Sequence, residues 1–247
     1  MNSGFTTFVT KGKIKNIGVH QKLDKLAFKL LPDETKRVLD LKRILHFEGI
    51  DGPDGLKVKS SGDIGHLWDP VAKTGLLPEW IDHHFNNLVK ALSKGDSVEI
   101  GFQAAWMAHY LTDGMTPAHH TDFKKEENHM IKEGATLKRI QKKWLYWGYH
   151  GLMSSHVLFE TGIAMYLMLT KVKSNFDNEL VDEINSLGIK EVFQRETLKI
   201  AELKIYEDFM SNGWNPRLIR VIKNRVLTRI PELISATWEA AYKKSVC

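Results

Sequence analysis

The stretch AHYLTDGMTPAHH, residues 108–120, sets two histidines and a carboxylate at fixed steps along a predicted helix and the turn after it. His109 and Asp113 are four residues apart, so on a helix they stand one turn apart on the same face. His119 follows Pro117, where that helix should end or kink. Imidazole and carboxylate are ligands that Zn²⁺ accepts, so the stretch predicts part of a metal site.

The residues around this pair indicate that the helix is buried, because they are apolar on most of its faces. They are Phe102, Ala105, Trp106, Met107, Ala108 and Leu111. The alternative is a surface helix with incidental polar residues. A buried histidine and a buried aspartate both need partners, however, and a metal ion serves both. We therefore expect His109 and Asp113 to be metal ligands.

The composition is that of an ordinary globular protein, with 43% hydrophobic and 26% charged residues among 247. No run approaches the roughly 18 apolar residues that cross a bilayer, so we expect no transmembrane segment. The first residues lack the apolar core of a signal peptide. This predicts a cytoplasmic protein, or a secreted one if a leader has been removed. The single cysteine, Cys247, excludes an internal disulfide and leaves nitrogen and oxygen as the metal ligands.

The net charge of +5 is modest, and the lysines are spread along the chain. This distribution is compatible with an anionic substrate, but it lacks the clustered basic patch of a nucleic-acid-binding protein.

Helical periodicity dominates the chain, and we predict a single all-helical (all-α) domain over residues 1–247. The predicted helices are 23–31, ended by Pro32, then 38–47, 78–93, 98–113, 137–171, 181–187, 192–210 and 216–244. Strand-like alternation is weak and confined to 4–9 and 56–58. Residues 48–65 carry five glycines and a proline, which predicts a long ordered loop. Long loops inside compact domains are usually functional.

Further candidate ligands lie in other segments of the chain. His156 and Glu160 are again four residues apart, on a strongly apolar predicted helix. His20 lies where a loop meets the first helix. The glycine-rich loop carries Asp51 and leads to His66.

Two rival assignments stay open. His129 and Glu133 are also four residues apart, but they lie among many charged residues, as on a solvated helix face. Asp54 is the alternative to Asp51. The histidines at 83, 84, 120 and 150 have no spacing argument, so we expect surface, core or supporting roles for them.

Three segments then resemble one known family. HYLTDGMTPAH resembles the HYLGD-x-x-Q-P-x-H signature of the zinc-dependent phospholipase C and single-strand-specific zinc nuclease superfamily. GHLWDP, residues 65–70, resembles its SHFYDP segment, and HVLFE, residues 156–160, is similar to its His-x-x-aromatic-acid element. The order of these segments also agrees, with an early histidine, a loop aspartate and a long final helix, so the resemblance covers nearly the whole chain.

The resemblance implies a helical fold around a cleft with two or three zinc ions. One ion would be held by Asp51, His66, His109 and Asp113, with Asp113 bridging to a second ion that uses His20. A third would be held by His119, His156 and Glu160. Asp51 would also be catalytic, by orienting or deprotonating the attacking water.

This ligand set predicts a phosphoric ester hydrolase. A carboxylate-bridged zinc pair lowers the pKa of a shared water and presents hydroxide for in-line attack on phosphorus. The remaining zinc stabilises charge on the leaving oxygen. The predicted activity is that of a phospholipase C-like phosphodiesterase acting on a small phosphate ester or a lipid head group. The alternatives are a single-strand nuclease of the same superfamily and a non-catalytic metal-binding helical protein.

Several positions depart from the family pattern. Thr112 and Thr116 stand where the signature has glycine and glutamine, and both leave the ligand spacing intact. Secreted members use an N-terminal tryptophan at one zinc, whereas the first tryptophan here is Trp68. We therefore expect the zinc at His20 to be weak, differently completed or absent. Leu67 replaces the aromatic residue on which nucleases stack a base.

A cluster of aromatic residues, Trp144, Tyr146, Trp147 and Tyr149, follows on the predicted helix 137–171. Aromatic residues contribute heavily to protein cores, so we expect these four to pack in the core rather than to line a cleft.

Overall fold

The computed structural model describes residues 18–49, 52–53, 65–120, 139–148 and 151–246. Within these ranges the chain is mostly helical, which confirms the predicted all-α class. The helices are α1 (Val19–Leu30), α2 (Asp33–Val38), α3 (Leu41–Glu48), α4 (Leu77–Lys94), α5 (Ser97–Gly114), α6 (Arg139–Trp147), α7 (Leu152–Leu169), α8 (Asn178–Leu187), α9 (Ile189–Ala201), α10 (Ile205–Asn212), α11 (Pro216–Val221) and α12 (Arg229–Val246). A 3₁₀ turn (Pro117–His120) follows α5, and a π-helical segment (Ile222–Leu227) joins α11 to α12.

Helix α5 lies at the centre of the fold and carries the HYLTD motif. Asp96 begins it, since its side chain accepts hydrogen bonds from the amides of Val98 and Glu99, both at 3.1 Å. From Ile100 onward nearly every residue of α5 is buried, as its apolar sequence predicts. It packs against α3, α4 and α12, and the indole of Trp238 donates to the carbonyl of Ala104.

Two of the predicted helices differ from the observed ones at a polar or conformational break. The predicted helix 38–47 corresponds to α3, which begins only at Leu41, while Val38 is the last residue of α2. The side chain of Asp40 caps the start of α3 by accepting from the amide of Lys42 at 2.9 Å. The predicted helix 192–210 is α9 and α10, because Lys204 takes a left-handed conformation with φ of 50° between them.

The predicted helix 137–171 is likewise α6 and α7, with Gly148 and Gly151 between them. Glycine weakens a helix through its conformational freedom, and Gly151 is the N-terminal cap of α7. The predicted helix 216–244 is interrupted by the π-helical segment. The predicted strands 4–9 and 56–58 lie outside the described residues. The strands that are described are β1 (Trp68–Asp69) and β2 (Thr74–Gly75), a two-residue antiparallel pair that sequence alternation did not predict.

Candidate metal centre

Five segments of the fold bring seven of the eight predicted site residues together. His20 lies in the first turn of α1, His66 precedes β1, and His119 lies in the 3₁₀ turn. His109 and Asp113 come from α5, and His156 and Glu160 from α7. The eighth, Asp51, lies outside the described residues, as do Asp54, His129 and Glu133. The two assignments left open by the sequence therefore stay open.

The carboxylate of Asp113 lies among four histidines from four segments. Its Oδ2 atom lies 2.6 Å from Nδ1 of His66 and 3.3 Å from Nε2 of His109. Its Oδ1 atom lies 3.6 Å from Nε2 of His20 and 3.7 Å from Nε2 of His119. Asp113 is thus the common neighbour of all four imidazoles.

The setting of Asp113 keeps its carboxylate ionised. Burial alone raises its pKa, but the charges of His119 and His109 and hydrogen bonds from His109 and His66 outweigh burial and hold the pKa well below its usual value. An anion fixed among imidazoles suits a bridging ligand for divalent cations.

Glu48, at the end of α3, is a carboxylate of this centre that the sequence analysis missed. Its Oε1 atom lies 2.8 Å from Nδ1 of His109 and 3.7 Å from Nδ1 of His20. The two imidazoles stack with centroids 4.1 Å apart and an interplanar angle of 11°. Both rings therefore turn Nδ1 towards Glu48 and Nε2 towards Asp113.

This arrangement sets the protonation of His109. Burial lowers its pKa, but the charges of Glu48 and Asp113 raise it well above its usual value. An Nδ1–H bonded to Glu48 leaves Nε2 as the nitrogen that faces Asp113. Histidines that bind metals commonly donate their second N–H to a carboxylate in this way.

One sequence signal could have revealed Glu48. Ile44 and Glu48 are four residues apart on the buried face of α3, so the acid occupies a core position of an amphipathic helix. Buried acids seldom occur without a partner. No local spacing points to His109, however, because 61 residues separate it from Glu48.

Asp24 is a second carboxylate that the sequence analysis missed. It follows His20 by four residues on α1, the spacing also seen in HYLTD and HVLFE. It is completely buried, and neither oxygen has a hydrogen-bond partner among the described residues. Burial and the nearby charge of Glu48 raise its pKa well above the usual value, against an opposing effect of His109.

His119, His156 and Glu160 form a second cluster beside Asp113. The Oε1 atom of Glu160 lies 3.0 Å from Nε2 of His119 and 2.9 Å from Nε2 of His156. The Nδ1–H of His119 donates to the carbonyl of His66 at 3.2 Å, which directs its Nε2 into the cluster. Burial raises the pKa of Glu160, but hydrogen bonds and charge from the two histidines bring it well below its usual value.

The donor sets fit divalent metal ions. Within the described part of the chain, three groups have ligand atoms within 4.8 Å of one another: His20, Glu48 and His109; His66, His109 and Asp113; and His119, His156 and Glu160. All three offer the nitrogen and oxygen donors that suit zinc and related ions. Oε2 of Glu48 is buried without a hydrogen-bond partner among the described residues, and a nearby cation would offset the cost of burying it.

The cleft that opens onto these clusters has small, neutral walls. It is lined by Val19, Thr112, Thr116, Val157, Thr161, Ile163 and Ala164, beside ligand candidates His20, Asp113, His119 and Glu160. Thr116, at the position of the family glutamine, donates to the carbonyl of Thr112 at 2.8 Å. Trp68 is buried and donates to Thr197, so it offers no free ring face to a base. No Phe, Tyr or Trp lines this cleft among the residues described.

Three histidines without a spacing argument are placed by the structure. His83 is exposed, and His84 is buried against Gln103, with burial lowering its pKa to about 4. His120 bonds through Nε2 to the carbonyl of Gly114 at 2.7 Å, and burial lowers its pKa to about 4. These contacts support the core and supporting roles expected for His84 and His120.

Comparison with known proteins found no relative of this chain. No family model matches the chain, and no curated protein and no solved structure matches it.

Proposed function

We propose that this chain is a zinc-dependent phosphoesterase with the fold of the zinc phospholipase C and nuclease type. The observation that carries the proposal is the position of Asp113, with its two oxygens within 3.7 Å of nitrogens from His20, His66, His109 and His119. A buried polar group has at least one hydrogen-bond partner, so fewer than four histidines would satisfy Asp113. Four imidazoles around one carboxylate, with a second His–Glu cluster beside it, are typical of a multi-metal site.

We assign the ligands from these contacts. His66, His109 and Asp113 would hold one ion, Asp113 and His20 a second, and His119, His156 and Glu160 a third. Zinc ions in such a site lower the pKa of water and neutralise charge on a phosphoryl oxygen and a leaving oxygen. Glu48 is assigned as a positioning residue, because it accepts from His109 and faces the Nδ1 atom of His20.

The chain's own residues supply the rest of the chemistry. Asp113 balances the positive charge of the cluster, while Glu48 and the carbonyl of His66 fix the orientation of His109 and His119. Asp51 remains part of the proposal, with the predicted role of orienting or deprotonating the attacking water. A separate substitution of Asp51 tests this role.

The walls of the cleft favour a small or lipid-derived phosphate ester over a nucleic acid. Val19, Val157, Thr161 and Ala164 offer aliphatic surface without the aromatic ring on which a base stacks. The modest net charge of +5 points in the same direction.

Metal analysis and hydrolysis assays test the proposal on the full-length chain. The protein is loaded with zinc and dialysed, the ions per chain are counted, and bis(p-nitrophenyl) phosphate, p-nitrophenyl phosphate and a single-stranded oligonucleotide are offered. We expect two or three zinc ions and hydrolysis of the diester. Asp113→Asn should lose more than one ion and lower the rate roughly 10²–10³-fold. The exposed Asp182→Asn serves as the control.

Four results would count against the proposal. A zinc content below one per chain would remove the metal centre. A single bound ion without hydrolysis would favour a non-catalytic metal-binding protein. Unchanged hydrolysis in Asp113→Asn would place the chemistry elsewhere, and preference for the oligonucleotide would favour a nuclease.

A further inference from the structure

The outer face of α7 is apolar and open to solvent. Leu158, Met165 and Met168 are 57–59% exposed and Leu169 is 80% exposed. The inner face of the same helix is buried and carries His156, Phe159 and Leu167. Helix α7 has no Lys, Arg or Asp, and its one acid, Glu160, points inward to the histidines. A wholly uncharged outer face is unusual for a helix at a protein surface.

Helix α6 adds exposed aromatic and aliphatic side chains before this face. Trp144 is 68% exposed, Ile140 72% and Trp147 48%. The expectation that Trp144 and Trp147 pack in the core is therefore wrong. They belong to a short helix, α6, that packs against α7 and leaves both tryptophans exposed to solvent.

The charged residues within and just after these two helices are mostly basic. Residues 139–176 contain five basic residues and a single acid, Glu160. The basic residues are Arg139, Lys142, Lys143, Lys171 and Lys173. Lys143 is exposed before α7, and Lys171 and Lys173 are exposed just after it. Tryptophan, aliphatic side chains and flanking lysines together are the composition of surfaces that lie at a membrane interface.

We propose that this surface, formed by Ile140, Trp144, Trp147, Leu158, Met165, Met168 and Leu169, docks on an anionic lipid bilayer. The apolar side chains would enter the head-group region, while Lys143, Lys171 and Lys173 contact lipid phosphates and carboxylates. We call this surface the docking face.

The docking face borders the cleft of the metal centre. Val157, Thr161 and Ala164 line the cleft, and Leu158 and Met165 are the next residues along the same helix. A protein docked through this face would hold the cleft close to the head groups. The inference that the substrate is a lipid phosphate ester rests on the proposed function, whereas the docking itself does not.

The contacts of α7 make it a helix that lies on a membrane rather than one that crosses it. A window within Lys143–Leu169 is long and apolar enough to span a bilayer, but 39% of it is buried within the fold. The buried core helices of soluble proteins can be equally long and apolar. His156, Phe159 and Glu160 tie α7 to the 3₁₀ turn and to α10, so lipid cannot surround it.

Vesicle sedimentation with the full-length protein tests the docking face. Vesicles of phosphatidylcholine alone are compared with vesicles that also contain phosphatidylserine. We expect binding to the anionic vesicles that weakens at high salt, and about tenfold weaker binding in Leu158→Glu/Met165→Glu. The control Val98→Glu/Leu187→Glu places the same charges at exposed positions on α5 and α8 and should bind like the wild type.

Zinc content and hydrolysis of soluble bis(p-nitrophenyl) phosphate are measured on the same variants. Both should be unchanged in Leu158→Glu/Met165→Glu, while hydrolysis of a phospholipid in vesicles falls with binding. Failure of the wild type to bind anionic vesicles would overturn the docking face, as would equal binding by the two double variants. A dimer that the Leu158→Glu/Met165→Glu change dissociates would assign the face to a second copy instead. Vesicle binding without any hydrolysis would reject the proposed function and leave the docking face standing.

Discussion

Oε1 of Glu48 lies 2.8 Å from Nδ1 of His109, although 61 residues separate these two residues along the chain. The contact is buried, and it turns the Nε2 atom of His109 towards Asp113. His20, stacked on His109, has the same orientation between the same two carboxylates. Glu48 thus hydrogen-bonds one candidate ligand and lies close to a second, while Asp113 faces both from the opposite side.

Glu48→Gln should lower zinc affinity about 10–100-fold without changing the number of ions bound at saturating zinc. The amide keeps the shape of the side chain but loses the charge that holds the two Nδ1 atoms. Competition with a chromophoric chelator measures the affinity, and Glu179→Gln, an exposed acid, is the matched control. Loss of a whole ion at saturation would mean that Glu48 is a ligand and not a positioning residue.

Glu160→Gln should remove one zinc ion and leave the ions around Asp113 in place. Glu160 is the carboxylate shared by His119 and His156, so the cluster loses its single anionic donor. Metal counting after dialysis measures the loss, with Glu191→Gln as an exposed control. If all ions were retained, or all were lost together, the two clusters would not be separate metal positions.

Glu196→Gln should destabilise the protein by about 1.5 kcal/mol near neutral pH, because Arg229 loses its most buried carboxylate partner but keeps Asp177 and Glu232. Glu196 is 3% exposed, and its Oε2 atom accepts from Nε of Arg229 at 2.7 Å. Burial raises the pKa of Glu196, but hydrogen bonds from Arg229 and Lys199 bring it below 4.5. Urea unfolding measures the free energy.

The effect of Glu196→Gln should depend on pH in a defined direction. A folded-state pKa below the unfolded value means that the unfolded chain binds more protons, so stability rises with pH across this window. The contribution of Glu196 is complete above about pH 4.5 and is lost as the pH falls through its folded-state pKa. The wild type and the variant should therefore converge in strong acid. A constant difference at every pH would contradict this assignment, and Glu202→Gln is the exposed control.

Gly162→Ala should cost about 2 kcal/mol, because α7 packs tightly against an indole ring at this residue. A Cβ atom at Gly162 would lie 2.1 Å from Cζ2 of Trp214. Trp214 in turn stacks on Phe159 of the HVLFE motif, with centroids 5.5 Å apart. Thermal and urea unfolding measure the loss. In a Trp214→Leu background the same change should be much less costly, and an equal cost there would show that the ring is not the cause.

The residues of the candidate metal centre that the sequence could identify are those with a local spacing. His109 with Asp113 and His156 with Glu160 are four residues apart on apolar helices, and the structure brings both pairs to one centre. Glu48 and Asp24 escaped the analysis for a physical reason. Their partners are reached by the packing of α1 and α3 against α5, and no pattern along the chain records that packing.

The helical fold was predictable in class but not in detail. Apolar periodicity predicted the helices, while the breaks depended on single residues, such as the cap at Asp40 and the left-handed Lys204. Periodicity reports which face of a segment is apolar, and a short break leaves that signal nearly continuous. The aromatic residues of α6 show the same limit, because residue type alone does not tell whether a tryptophan meets the core or the solvent.

The sequence by itself determined the helical class, the buried helix α5 and the histidine and carboxylate pairs, because these depend on contacts within one or two helical turns. The tertiary structure decided which pairs meet, how Glu48 turns the rings of His20 and His109 towards Asp113, and which face of α7 stays exposed. Those outcomes depend on how helices pack across long separations in the chain, and packing is set by the shapes of all the buried side chains together.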